Sequence, residues 1–322
     1  MKNNKKLKVK TTKATRFKKI INSDMTFGNK AKLFLKIYGK ALGKAPIYLA
    51  LIALSVIYIV PFFHMIGHSL MNNADLLSQN VKWLPRQIHF SNYTYALEKL
   101  EFFPYLGKTI LVVLACVIGQ VMSSSFVAYG LARVKFKGSS FLFGLIVFIL
   151  IIPPQVIIGP AYIMFANFKW LDTFLPIIIP CFFAMGINGG LMVFIFRQFF
   201  RGMPSELENA ALIDGTGIFG AYFRVIFPNA KPAILVTSIL SLVWQWNNSF
   251  EPAIFIEHAK DGLLPMQLTI LADKGVSVAG GIDMNLGITM AATFLCVLPL
   301  IIIFLALQGQ FMKNMANSGL AN

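Results

Sequence analysis

Six stretches of this chain are each long and apolar enough to cross a lipid bilayer, which leaves few other folds open to it. They are Pro46–Leu70, Gly107–Leu131, Ser139–Ala166, Phe174–Phe199, Ala230–Phe255 and Leu286–Gly309, each at or above the roughly 20 residues a spanning helix requires. Backbone amides cannot stay unpaired in hydrocarbon, so runs this continuous predict helices rather than barrel strands. Composition agrees. Hydrophobic residues make up 57% of the chain and charged residues 13%, about half the charged share of an average soluble domain. The mean hydropathy is +0.68. The expected fold is an all-α integral membrane protein with a basic tail (residues 1–45), a six-span domain (46–309) and a second tail (310–322).

The positive charge is uneven. Of a net +16, nearly half the Lys and Arg fall before Pro46. Arg133, Lys135, Lys137, Arg197, Arg201, Arg224, Lys231 and Lys313 cluster at the same ends of the runs, which predicts that both termini are cytoplasmic. The basic tail lacks a folded nucleic-acid motif. It reads as a segment lying near anionic headgroups, and residues 30–40 carry basic and apolar residues at helical spacing. It has no cleavage site of the secretory type. Ile152-Pro-Pro-Gln155 and Pro180 predict kinks or breaks in the third and fourth runs. Cys116, Cys181 and Cys296 lie in apolar runs and read as packing residues. His64 and His68 have a spacing that suits a metal, but no third ligand accompanies them, so no metal site and no catalytic residue is expected.

The connection between the fourth and fifth runs, residues 201–229, is unlike the others. Ser205-Glu-Leu-Glu208 fits a capping box in which Glu208 reaches back to the first turn. The helix then runs to about Asp214, with Gly215 as its stop. Leu207, Ala210 and Ala211 share a face, and the alanines allow a second surface to approach closely. A second short helix is expected from Ile218 to Phe227, closed by Pro228. Glu206, Glu208 and Asp214 disfavour rest on anionic lipid, so the segment reads as a helix-turn-helix that docks onto a cytoplasmic protein.

At these residues the chain resembles a permease subunit of an ATP-binding-cassette importer. The family signature is Glu-Ala-Ala, a Gly six residues after the Glu, and Ile-x-Leu-Pro ten residues further on. The matching positions are Asn209-Ala210-Ala211, Gly215 and Val225-Ile226-Phe227-Pro228. Asn209 stands at the glutamate position, with Glu208 just before it; either Asn209 keeps a neutral hydrogen bond or Glu208 takes over the contact. Trp83-Leu-Pro85, Phe90–Tyr93, Ala128–Arg133 with Phe136–Gly138, Ile152–Gln155, Trp246–Phe250, Leu307–Lys313 and Ser318-Gly319 narrow the resemblance to the six-span partner in maltose-type sugar importers. It extends from about Ala50 to Asn322.

The resemblance implies a multi-pass protein of a prokaryotic cytoplasmic membrane. It also implies a heterodimer with a second permease, two ATPase subunits that carry ATP and Mg, an external sugar-binding protein and a sugar substrate. No nucleic-acid partner is implied. The coupling residues would be Glu208, Asn209, Ala210, Ala211, Asp214, Gly215 and Pro228. The chain has no phosphate-binding loop of the Gly-x-x-x-x-Gly-Lys-Ser/Thr type, so it is expected to bind no cofactor and to be no enzyme. Gln155, Asn188, Trp246, Asn247 and Asn248 are candidates for the translocation path, with a tryptophan to stack on a sugar ring. Gln120, Ser123, Ser124, Ser125 and Gln245 are also polar at membrane depth, and helix–helix bonding is the competing use for all of these. Import of a non-sugar solute is the alternative. An ion-coupled carrier would need buried ionisable residues, and the runs offer almost none.

Overall fold

The computed structural model describes residues 44–319, apart from 79, 82, 259–261, 275, 279–280 and 284–285. Expectations for the N-terminal tail lie outside these residues. The chain divides into two compact units, Met1–His64 and Met65–Asn322. The described part of the first belongs to the helix Ala45–Ser69. Its apolar side chains are exposed on every side, among them Leu49, Ile52, Ile57 and Phe63, as expected of a rod whose solvent is lipid.

In the second unit the helix Phe102–Arg133 forms the axis. Leu286–Gly319 is the other long helix; it carries on past Gly309, where its apolar span ends. The remaining runs are interrupted. Ser139–Ile149 and Pro154–Asn167 meet at 100°. Pro153 is extended, at ψ 135°, because a residue that precedes proline is forced out of the α region. The fourth run is a short helix Leu175–Ile178, a 3-10 turn Ile179–Phe183, a gap, and the helix Gly189–Gly202. Ala184 and Asn188 bracket the gap at φ 58° and 53°.

The fifth run was expected to be continuous to Phe255. Its helix stops at Trp246, and a separate helix Phe250–Phe255 follows. The Asn247 amide donates to the Val243 carbonyl at 2.7 Å, a local bond of the kind that competes with the helical ladder. Pro252, four residues after Asn248, has no N–H with which to continue it. Among the described residues, three helices are therefore long and apolar enough to cross a membrane, or up to five if each of two bent pairs counts as one span. The second such pair joins Gly217–Asn229 to Lys231–Trp246 at 77°.

Among the described residues the architecture is helical except for a two-stranded antiparallel ribbon, Val276–Val278 with Gly281–Asp283, in which Ser277 pairs with Ile282. Before the long axis, Asn72 caps the short helix Asn73–Leu76 by accepting from the Asp75 amide at 2.7 Å. The Asn92 amide ties the helix Ser91–Lys99 to the carbonyls of Ser69 and Met71.

Candidate functional site

The connection after the fourth run folds into the expected pair of helices, but its internal bonds differ from the expected ones. The first helix is Glu206–Ile213. Ser205 precedes it with helical backbone angles and makes no side-chain cap bond, so no capping box forms. Glu208 is drawn the other way. Its Oε1 accepts from the Tyr129 hydroxyl at 2.6 Å, and its Oε2 lies 3.8 Å from Arg133 Nε. Both charged side chains are nearly covered, at 14% and 11% exposure. A carboxylate in that setting gains more from a charge-assisted bond to a phenol and a nearby guanidinium than from a solvated backbone N–H. Glu208 therefore faces its own chain, while Asn209 is exposed.

The same end of the long axis holds the neighbouring elements. Arg133 donates to the carbonyls of Phe200 and Met203, which close the helix Gly189–Gly202. Arg197 is buried, lies 3.7 Å over the Phe143 ring and donates to the Leu131 carbonyl at 3.3 Å. Tyr222, fully buried, shares a hydrogen bond of 2.7 Å with Ser125. Its ring lies 5.2 Å from that of Tyr129. Tyr129, Phe196, Phe200, Tyr222 and Ile226 belong to one buried cluster. The two-helix segment is thus keyed into the core by Glu208 on one helix and Tyr222 on the next.

What remains outside is a mixture of apolar and polar side chains. Ala211 is buried while Ala210 is exposed, so the two alanines expected on one face divide between the core and the outer surface. Asn209, Asp214 and Gly215 are exposed, as are Leu207, Ile213, Phe219 and Phe223. Gly215 has φ +79°, which suits glycine at a helix stop. Thr216 closes the end by donating from Oγ1 to the Ala211 carbonyl at 2.7 Å. The second helix does not end at Pro228. It passes from Gly217–Ala221 through a π turn, Tyr222–Ile226, into Phe227–Asn229. Proline is accepted there because it occupies the first turn of a new helical stretch, where its missing N–H is not needed. Pro228 is exposed.

The candidates for a solute path separate into three groups. Trp246 is buried and donates from Nε1 to the Cys296 carbonyl at 3.0 Å, so it braces the sixth run and has no free face for a sugar. Gln120, Ser123 and Gln245 serve the interrupted fourth run. Gln120 donates to the Ile187 carbonyl at 2.8 Å, Ser123 bonds the Cys181 carbonyl and the Ala184 amide, and Gln245 donates to Cys181 Sγ. Irregular backbone at membrane depth needs this kind of support. Gln155, Asn188 and Asn247 remain exposed, and Asn248 is bound to Glu251.

Sequence reasoning missed Tyr129, Arg133 and Tyr222 as a linkage. The available signal was the four-residue step from Tyr129 to Arg133, which puts both on one face of the axis beside an acidic loop. Among the described residues no group of three or more metal-ligating side chains comes together.

A family model described as a binding-protein-dependent transport system inner membrane component matches residues 120–317, more than half of the chain. The arabinooligosaccharides transport system permease protein AraQ of Bacillus subtilis is 29% identical over 269 residues, covering 83% of this chain and 92% of that protein. The melibiose/raffinose/stachyose import permease protein MelC of the same species is 28% identical over 262 residues, covering 81% and 90%. In fold, the chain is similar to one from a crystal structure of a bacterial ABC transporter involved in the import of the acidic polysaccharide alginate. The TM-score is 0.69 at 22% identity, over 86% of this chain and 97% of that one.

Proposed function

The chain belongs to the binding-protein-dependent transport system inner membrane components, and on that premise we propose that it is the sugar-importing permease subunit of an ATP-driven transporter. It lies in a prokaryotic cytoplasmic membrane with six spans and both termini inside. It pairs with a second permease, and two separate ATPase subunits supply ATP and Mg. An external binding protein delivers the sugar, an oligosaccharide in keeping with the substrates named for AraQ and MelC.

One observation carries the mechanical part of this reading. Glu208, on a helix whose other face is exposed, is bonded directly to Tyr129 on the long helix Phe102–Arg133. An ATPase that grips Asn209, Ala210, Asp214 and Gly215 from outside would pull on Glu208, and through Tyr129 on the axis of the bundle. Arg133 joins the end of the fourth run to the same point, so one displacement reaches two runs. Coupling is physical only where a contiguous element has two arrangements that both sites bias. The interrupted fourth and fifth runs supply elements that can rearrange without breaking a continuous helix.

Reconstitution tests the function. The complete transporter in proteoliposomes should take up arabinotriose, raffinose or maltotriose only when ATP is supplied on the ATPase side. Uptake of none of them points to a non-sugar solute. Uptake driven by an ion gradient without ATP removes the reading altogether.

A further inference from the structure

Glu251 is the single Asp or Glu within the six apolar runs. An ionisable side chain in an apolar run is costly against lipid and almost always faces the bundle interior or water. Glu251 opens the helix Phe250–Phe255, just after the gap in the fifth run. That helix packs on Leu175–Ile178, the element that leads into the gap of the fourth run. Glu251 also lies close enough to Cys181 to act on it electrostatically. Two interrupted helices therefore meet beside one carboxylate, and irregular backbone in a membrane protein is tolerated where it is buried in protein or lines a water-filled cavity.

The carboxylate is held but not used up. The buried Asn248 amide donates to Oε2 at 2.9 Å, and the Glu251 backbone N–H returns a bond to Asn248 Oδ1 at 3.3 Å. This reciprocal pair fixes the direction of the side chain. No ion pair engages Glu251 among the described residues. Its Oε1 has no partner there and is not among the sealed, unpartnered polar atoms, so it reaches the surface of this chain. A group that served only to begin a short helix would not need an aimed oxygen left without a partner.

We propose that Glu251, oriented by Asn248, is this chain's contact with the hydroxyl groups of a neutral sugar, and that its charge excludes acidic sugars. The inference rests on the sugar-import reading above. A carboxylate accepts charge-assisted bonds from sugar O–H groups, whereas a uronate would bring a like charge to the same oxygen. Asn248 acts as a positioning residue.

The test uses the assembled membrane complex without its external receptor. Equilibrium dialysis measures binding of radiolabelled arabinotriose, raffinose, maltotriose and, as the acidic probe, trigalacturonate. At least one neutral trisaccharide should bind the wild type, and trigalacturonate should not. In E251Q the neutral sugar should bind about fivefold to tenfold more weakly, since a neutral hydrogen bond replaces a charge-assisted one. Trigalacturonate should gain binding, while ATP hydrolysis and the amount of complex stay at wild-type levels.

The proposal is overturned if E251Q binds the neutral sugar within twofold of wild type. It is also overturned if wild type binds trigalacturonate as well as the neutral sugar, or binds no sugar while taking it up. Those wild-type measurements stand even if E251Q fails to assemble. ATP-driven uptake of the neutral sugars in these cases would leave the import reading intact. Its absence from wild type would remove both.

Discussion

Replacing Tyr129 by Phe deletes one hydroxyl and leaves the ring packed 5.2 Å from Tyr222 and 6.3 Å from Phe200. The lost interactions are the 2.6 Å bond to Glu208 and a longer one, 3.4 Å, to the Ile218 carbonyl. A hydrogen bond to a charged partner contributes about 1.5–3 kcal/mol, against about 1 kcal/mol for a neutral one. Glu208 keeps only the guanidinium at 3.8 Å, which is too far for a hydrogen bond. Most of the link between the docking helix and the axis should therefore vanish in Y129F. In proteoliposomes that hold the complete transporter, sugar taken up per ATP hydrolysed should fall about tenfold, since 1.4 kcal/mol corresponds to a factor of ten. ATP hydrolysis itself should persist. E208A should behave similarly, and the double variant should be little worse than either single one, with a coupling energy of about 1.5–3 kcal/mol in the cycle. Effects of Y129F and E208A that add to within about 0.5 kcal/mol, or a wild-type ratio in Y129F, would refute the transmission route.

Further expectations follow from other positions. G215V puts a β-branched side chain at φ +79°, at a cost of about 1–3 kcal/mol; the protein should still insert, but uptake should uncouple from ATP hydrolysis, and wild-type uptake would remove Gly215 from the mechanism. A Cβ at Gly186 would lie 2.5 Å from Cys181 Sγ and 2.6 Å from Gln120 Oε1, so G186A should overpack the fourth-run gap by about 1–3 kcal/mol and lower the Tm of the purified complex. Asp172, outside the apolar runs, has its carboxyl held below the ordinary 3.8 chiefly by the Glu257 N–H, with His258 beside it. Its folded pKa is depressed, so its stabilisation is present above the ordinary value and is lost as pH falls through the folded one. Proteolysis near residues 168–174 and 255–258 should therefore rise on acidification below about pH 4 in wild type and vary less with pH in D172N.

Much of this organisation is legible in the sequence because the period and length of apolar runs are set by the bilayer. The breaks at Pro153 and after Pro180 were readable because proline acts locally. The gap at Asn247–Ser249 was not, since it depends on two asparagine side chains choosing local partners over the ladder. The helix Glu206–Ile213 and its stop at Gly215 follow from local chemistry. Glu208 fits a capping box equally well on paper, and only the tertiary position of Tyr129 decides against it. Trp246 illustrates the same limit: an aromatic at membrane depth suits a sugar ring or a buried brace, and the carbonyl of Cys296 selects the second.

Ala210 offers a probe that disturbs none of the internal bonds, because its side chain is exposed. With A210C in an otherwise cysteine-free chain, thiol cross-linking in the working complex should capture an ATPase subunit, in a yield that changes when ATP binds. Recovery of A210C unlinked to any ATPase throughout turnover, or its labelling in intact cells by a membrane-impermeant maleimide, would contradict the account.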